Sequence, residues 1–532
     1  MTPDGPGLAA RIEGALGSRA APWVVAALTV VFFWWLNGSL NPEPWIYDEA
    51  AYVLQARIFA GWHWSVPGPP LPEFFEQFHV FVTPRLIPKY PPGHALLMVP
   101  GIWLGAASLV PLLASGASAG LLYTGGRRLG GGWIGLMAWL VWMSAPEMLL
   151  FGPSYMAQST STLAWLVAWG ALLRWRQAPE RTGSLAAFGV AAAVGAIVRP
   201  VTAIALLLPA GLWILWTAWR RGRARPVLVG VAVAVPILLL PFWWSFAATG
   251  KAFPTPYSEY SRVYAPWNMP GFAVDTAAPL RAPTPAMNKF RQQFLPQHEA
   301  HRTEPLATML VRRIEGIGVR FFGPRGRHWR WLLLVPFVVG VVVAPGPLRF
   351  GFVSAAVLVG GYLWMTAHPM WTIYYLEVYP ILALTTALGA WRLAGWSGTA
   401  WARSRGAPGL AGTGTAVLCT VGILIAAPGA WRRVSRAQAS LDGYRAPFAA
   451  LTAAVAGIPG RAIVFVAPGP ADDPFDSFVR NAPDPAAERV WIVDDRGDDN
   501  RRLMALAPDR AAYRYNPVQR TLEPYRAESR AP

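Results

Sequence analysis

Cysteine is almost absent: Cys419 is the only one in 532 residues, and it lies inside an apolar segment. Intrachain disulfides, cysteine-based metal sites and catalysis by a paired thiol are therefore excluded. Charge is scarce as well. Charged residues make up 14% of the chain, where an ordinary soluble enzyme carries about a quarter. Acidic residues are the scarcer sign, 28 Asp and Glu against 46 Lys and Arg, a formal net charge of +18. In a soluble protein that excess would suggest nucleic acid. Here no basic patch carries a recognition motif, and the basic residues sit in short loops between apolar runs, so nucleic acid is excluded as a partner. Internal repeats are lacking too, which argues against a transporter built from two matched halves.

What the chain has is apolar length. Hydrophobic residues make up 54%, tryptophans number 28, and mean hydropathy is +0.33. Runs able to cross a bilayer, about 20 residues each, fall at 23–40, 106–124, 131–150, 157–174, 184–199, 201–219, 226–247, 331–346, 349–367, 375–394 and 412–430. The first is an anchor rather than a cleavable signal, because Gly38-Ser39-Leu40-Asn41-Pro42 offers no small-x-small cleavage site. The expected fold class is an α-helical polytopic membrane protein of about eleven transmembrane helices, with external loops and a small C-terminal α/β domain. The expected division is a cytoplasmic segment 1–22, a membrane domain 23–430 with external loops 41–93 and 248–330, and an external domain 431–532.

Orientation follows from the basic residues. Arg127-Arg128, then Arg174, Arg176 and Arg181, then Arg220, Arg221, Arg223 and Arg225 fall in alternate loops, and Arg349, Arg392, Arg403 and Arg405 continue the alternation. All share the side of the N-terminus, which is thereby cytoplasmic. Arg432, Arg433 and Arg436 follow the last span on the opposite side and cut against the pattern. In the C-terminal hundred residues, a helix-like stretch at 442–457 precedes strand patterns at Ala462–Val466, Val490–Val493 and Ala511–Tyr515, with a helix-like 499–506 between the last two.

Two motifs in the first external loop carry chemistry. Tyr47-Asp48-Glu49-Ala50-Ala51-Tyr52 follows the first span, and Lys89-Tyr90-Pro91-Pro92-Gly93-His94 precedes the next. Carboxylates at a membrane face can deprotonate a hydroxyl, and a cation there can hold an anionic headgroup. Residues 48–61 have helical spacing and read as a helix along the membrane face, with Asp48 able to cap its start. Each residue also has a plainer role open to it: Asp48 as a cap, Lys89 snorkelling at headgroups, His94 hydrogen-bonding at the next helix start. Arg199 either binds phosphate or pairs with a carboxylate to lock the bundle, and Glu377 at the top of its own span is open to a functional or a structural role, the structural one ahead. The pair in His298-Glu299-Ala300-His301 is an incomplete metal site.

These motifs together resemble the polytopic glycosyltransferases of the GT-C type, in particular bacterial relatives of the protein O-mannosyltransferase and lipid A aminoarabinose transferase family (glycosyltransferase family 39). Arg127-Arg128-Leu129-Gly130-Gly131, Arg199-Pro200 and Tyr374-Tyr375-Leu376-Glu377-Val378-Tyr379-Pro380 are similar to that family as well. The resemblance implies an inverting transfer of a sugar from a polyprenyl-phosphate carrier to a hydroxyl acceptor on protein, lipid or polysaccharide. The setting it implies is the outer face of a bacterial cytoplasmic membrane. It implies Asp48 and Glu49 as catalytic residues, Lys89 and Arg199 on the carrier phosphate, and Tyr52, Tyr90, His94 and Glu377 about the substrate. It requires no cofactor and leaves a divalent cation at Asp48 or Glu49 open. Lys-Tyr-Pro-Pro stands here for the Lys-Pro-Pro of the aminoarabinose enzyme, one residue longer. The competing readings are a transporter or flippase of lipid-linked sugars, and a non-catalytic member of the same fold.

Overall fold

The structure is a computed structural model that describes residues 8–272, 284–324, 330–366, 368–406, 411–469 and 477–525. The first seven residues of the expected cytoplasmic segment lie outside the described residues. So do 273–283 and 325–329 of the expected loop 248–330, position 367 of a span, and 407–410, 470–476 and 526–532.

The chain opens with α1 (Leu8–Gly17) and α2 (Ala21–Asn37), bent 79° to one another. Gly38, at φ 71°, ends α2 by turning its N–H back onto Trp34 and Trp35, a left-handed stop that glycine adopts without a Cβ clash. Next come α3 (Tyr47–Ala60), β1 (Val66–Pro67), β2 (Val80–Phe81), β3 (Arg85–Pro88) and α4 (Pro92–Trp103). The three strands form an antiparallel ribbon in the order β1-β3-β2. The N-cap of α3 is Ile46, with Asp48 inside the first turn, so the capping role expected of Asp48 is not taken up. Its carboxylate, in the first turn at the positive end of the helix dipole, makes its contacts outside the helix.

The bundle continues with α5 (Leu109–Gly130), α6 (Gly132–Met143), α7 (Pro146–Phe151), α8 (Gln158–Gln177), α9 (Thr182–Val198), α10 (Pro200–Arg221) and α11 (Ala224–Thr249). After it come α12 (Pro256–Tyr264), α13 (Pro285–Thr303), α14 (Leu306–Phe322), α15 (Trp331–Val342), α16 (Gly346–Gly361), a 3-10 stretch Thr372–Val378, α17 (Tyr379–Ser404) and α18 (Ala411–Ala456). The expected loop 248–330 is thus largely helical where it is described. Among the described residues, six helices are long and apolar enough to cross a membrane, or seven with the bent α1–α2 pair. The sequence expectation of about eleven exceeds this for local reasons. The run 131–150 breaks at Ala145-Pro146 into α6 and α7, α9 and α15 are apolar but short, and α8 opens on the polar Gln158-Ser159-Thr160-Ser161-Thr162. The chain is a multi-pass membrane protein.

Close backbone approach binds the centre of the bundle. A Cβ on Gly389 of α17 would collide with the Pro336 carbonyl of α15, and one on Gly340 with that of Thr385. Small residues at such crossings bring helix backbones into contact where lipid gives no hydrophobic drive.

Helix α18 runs for 46 residues, about 69 Å at 1.5 Å per residue, more than twice a hydrocarbon core of about 30 Å. Its first half exposes Val417, Leu418, Val421, Leu424 and Ile425. Farther on, Arg445 donates to the backbone and side-chain oxygens of Asn37 at the end of α2. The boundary expected at 430/431 therefore falls inside one continuous helix. Beyond it lie β4 (Ala462–Val466), β5 (Val490–Asp494), α19 (Asn500–Leu506), β6 (Ala511–Asn516) and β7 (Thr521–Pro524), in a sheet of order β5-β4-β6-β7. Strand β4 pairs in parallel with both neighbours and is buried throughout, as a central parallel strand must be. Its alternation splits two cores. Ala462, Val464 and Val466 pack on Phe448 and Leu451 of α18, while Ile463 and Phe465 pack on Phe74 and Phe75 of the first loop. The first loop and the C-terminal sheet thus share one face of the bundle. Arg433, also on α18, donates to the Ser144 carbonyl just past α6.

Candidate active site

The site forms where the first turn of α3 meets the β2–β3 ribbon and α12. Ribbon register pairs Val80 with Pro88 and Phe81 with Ile87, so His79 and Lys89 fall opposite each other; the Lys89 N–H donates to the His79 carbonyl at 2.8 Å. Tyr90, next in line, donates its hydroxyl to Asp48 Oδ1 at 2.5 Å. His79 Nε2 lies 3.6 Å from Asp48 Oδ2. Burial raises the Asp48 pKa; a protonated His79, the Tyr90 hydrogen bond and the Lys89 charge oppose it and hold the carboxyl below its usual range.

Lys89 is buried. Its ammonium sits 5.3, 4.9 and 5.1 Å from the ring centroids of Tyr90, Tyr257 and Tyr260, within cation–π range. Burial pushes its pKa down to about 8, partly opposed by the Asp48 charge. At neutral pH the pair is therefore a carboxylate and an ammonium in one tyrosine cage. Tyr52 stacks on Tyr90 at 4.5 Å and meets His94 edge-on at 4.9 Å. A cavity of about 30 Å³ adjoins Lys89, walled by His79, Tyr260, Trp267, Phe290 and Arg291. It is room for one water.

Glu49 faces other partners than Asp48. It is 1% exposed, and its two oxygens accept from the backbone N–H groups of Trp45 and Tyr155, each at 2.9 Å. Burial raises its pKa against the pull of Arg445 and Arg480. Each oxygen accepts one backbone N–H, so Glu49 ties α3 to the chain before α8. His94 is likewise committed: Nε2 to the Tyr155 carbonyl at 2.8 Å and Nδ1 to Thr160 Oγ1 at 3.0 Å. Arg199 donates to Glu377 at 3.2 Å and to the Tyr362 hydroxyl at 3.0 Å, and Glu377 has no exposed surface. Of the two roles open to Arg199, the structure displays pairing with a carboxylate. The Arg199 and Asp48 charges both act on Tyr52 and Tyr257, so the ion pair flanks the tyrosine cage.

Asp48 is shared among Tyr90, His79 and the Lys89 cation, Glu49 is spent on amides, and no group of three metal-capable side chains exists among the described residues. Three contributors to the site escaped the sequence reading. His79, at φ 65°, carried one available signal, its place in the same loop as the acidic pair. Tyr257 and Tyr260 lie on α12, where Tyr257, Tyr260 and Tyr264 repeat at i, i+3 and i+7, one helix face.

Comparison with protein families and with curated proteins finds no match. Solved structures do match. ArnT from Cupriavidus metallidurans bound to undecaprenyl phosphate is 13% identical, with a TM-score of 0.50 and 94% of each chain covered. The same protein in the apo state is 14% identical, again at 0.50 and 94% of each. Arabinofuranosyltransferase AftD from Mycobacteria is 15% identical at a TM-score of 0.38, covering 90% of this chain and 32% of that one. The likeness to ArnT, over nearly the whole of both chains, gives this chain the fold of the GT-C type membrane glycosyltransferases. Fold does not by itself carry activity.

Proposed function

We propose that the protein is an inverting glycosyltransferase that moves a sugar from a polyprenyl-phosphate carrier to a hydroxyl acceptor at the outer face of a bacterial cytoplasmic membrane. The observation that carries this reading is that Tyr90 donates to Asp48 while the buried Lys89 ammonium lies over the rings of Tyr90, Tyr257 and Tyr260, which puts a carboxylate and a cation about one tyrosine cage. An alcohol is a poor nucleophile at neutral pH and needs a base at its proton. Asp48 supplies that base, oriented by Tyr90. Attack on the anomeric carbon opposite the carrier inverts its configuration in one displacement. The carrier phosphate departs as a stable anion and needs a cation near its oxygens rather than a strong acid. Lys89 supplies it, in a dry setting where one such contact is worth about 10²–10³ in rate. No metal takes part in this scheme. Arg199, paired with Glu377, orders Tyr362 beside the cage.

One further fact supports the reading. ArnT, with the same fold, has been captured with undecaprenyl phosphate. The test is release or transfer of label from undecaprenyl-phosphate-linked mannose, glucose, galactose and arabinose by purified protein, with Asp48→Asn beside it. Transfer by wild type, reduced about 10²–10⁴-fold in the variant, is the expected result. Full activity of Asp48→Asn overturns the mechanism.

A further inference from the structure

The scheme above ends with the acceptor's proton on Asp48, and a carboxyl held below its usual range is a poor resting place for it. The imidazole behind Asp48 has no part in that scheme. His79 Nε2 points at Asp48 Oδ2 from 3.6 Å, slightly beyond hydrogen-bond reach, a gap of the kind that often closes only when substrate is bound. Its Nδ1 is buried with no hydrogen-bond partner. The backbone that presents it is held on both sides: its N–H donates to the Tyr260 hydroxyl at 2.9 Å, and its carbonyl accepts from Lys89 at 2.8 Å. Its left-handed φ of 65° is a conformation few side chains adopt, so the ring is set in place by more than chance packing. The side chain of Asp48 is 34% exposed and that of His79 14%, which puts the carboxylate in front and the ring behind.

We propose that His79 is a positioning residue that acts through Asp48, relieving Oδ2 of the acceptor's proton during transfer. The inference rests on the glycosyl-transfer reading. In the step, the acceptor oxygen bonds to the anomeric carbon. The bond from that carbon to the carrier phosphate breaks, with its electron pair left on the phosphate. The proton passes through Asp48 to His79 Nε2, with the resting tautomer carrying its hydrogen on Nδ1. The groups facing the imidazole are Asp48 and Tyr47 from α3, Lys89 and Tyr90 from the end of the ribbon, Tyr260 from α12 and Arg291 from α13. Burial and Lys89 lower the ring's pKa from 6.5, with Asp48 opposing them. Neutral imidazole is therefore the form present at neutral pH, and an acid limb in the rate below about pH 6.5 follows from its protonation.

The experiment uses the full chain and the four undecaprenyl-phosphate sugars above. His79→Asn keeps a side chain that tolerates the left-handed backbone and cannot take the proton. Its kcat falls about 10- to 100-fold, the KM for donor stays within about twofold, and the acid limb disappears. Wild-type kcat with the acid limb intact, or an effect on KM alone, overturns the relay. His79→Gly, free in the same backbone region, gives a second reading: added imidazole restores turnover, and failure to restore it overturns the relay as well. If wild type moves none of the four sugars, it is the glycosyl-transfer reading that falls, and the relay with it.

Discussion

Replacing Lys89 by methionine separates what the ammonium does for turnover from what it does to stability, and the two effects have opposite sign. In the folded protein Lys89 titrates at about 8 instead of 10.5 because it is buried. A lowered lysine pKa means the unfolded chain binds the proton more tightly than the folded one. Stability therefore rises with pH between about 8 and 10.5, and below 8 the full penalty is present. At neutral pH that penalty is about 3 kcal/mol, with the attraction to Asp48 already included. Methionine removes the charge but also the contacts with three tyrosine rings, worth about 1 kcal/mol. The expected result at pH 7 is a variant about 2 kcal/mol more stable, close to a 2 °C rise in Tm for a chain of this size, and nearly inactive. Wild type should become more stable from pH 8 to 10.5 while losing turnover over the same rise, as the cation at the phosphate is lost. Thermal denaturation of the detergent-solubilised protein against pH, beside label transfer, reads both. A Lys89→Met variant less stable than wild type at pH 7, or one that still turns over, refutes the reasoning.

Asp48→Asn removes the charge that supports the Lys89 ammonium, so binding of undecaprenyl phosphate by this variant should fade at a lower pH than in wild type, measured by titration at several pH values. Glu49→Ala orphans the amides of Trp45 and Tyr155 and leaves Arg445 and Arg480 without their buried partner. It should cost about 3 kcal/mol, and the Tm should fall even when undecaprenyl phosphate is present. Glu377→Ala strands Arg199 in the bundle, a loss of about 3–5 kcal/mol for a broken buried pair, visible as a lowered Tm. Gly389→Ala must push α17 off α15 and should cost about 1–3 kcal/mol; a Tm equal to wild type would mean that the two backbones are not in contact.

Asp48 and Lys89 stood out in the sequence because acidic residues are few in this chain and because an acidic pair and a lysine segment share one short loop between two apolar runs. The helix 47–60 and the strands at 462–466, 490–494 and 511–516 were legible from periodicity, which composition does not blur at those positions. Their meaning depended on contacts that periodicity does not encode. Glu49 differs from Asp48 by a single step in sequence, about 100° around the helix, and that rotation sends one carboxylate to backbone amides and the other to the tyrosine cage. Arg199 and Glu377 are 178 residues apart, so the pairing that fixes both has no local signature. The expected count of spans exceeds the helices long enough to cross a membrane among the described residues, because an apolar run says how a segment is solvated and not where proline breaks it.

The long-range contacts also explain why the site stands where it does. Glu49 is drawn to Arg445 of α18 and to Arg480 beyond it, and Phe74 and Phe75 of the first loop fill the second core of the C-terminal sheet. Lys289 of α13 donates to the carbonyl of Gly469 just past β4. The ribbon, α13 and the sheet are thus fastened to one another on the face where Asp48 and Lys89 meet. A base and a cation on a mobile loop would lose orientation, and a displacement of about 1 Å is enough to cost about 10²-fold in rate. The sheet carries no recognised motif, yet it buttresses the loop that bears the carboxylate from behind. On this argument, polar substitution of Phe465, which is fully buried against Phe74, should lower kcat far more than donor affinity. Equal loss of both would mean that the sheet touches the donor itself.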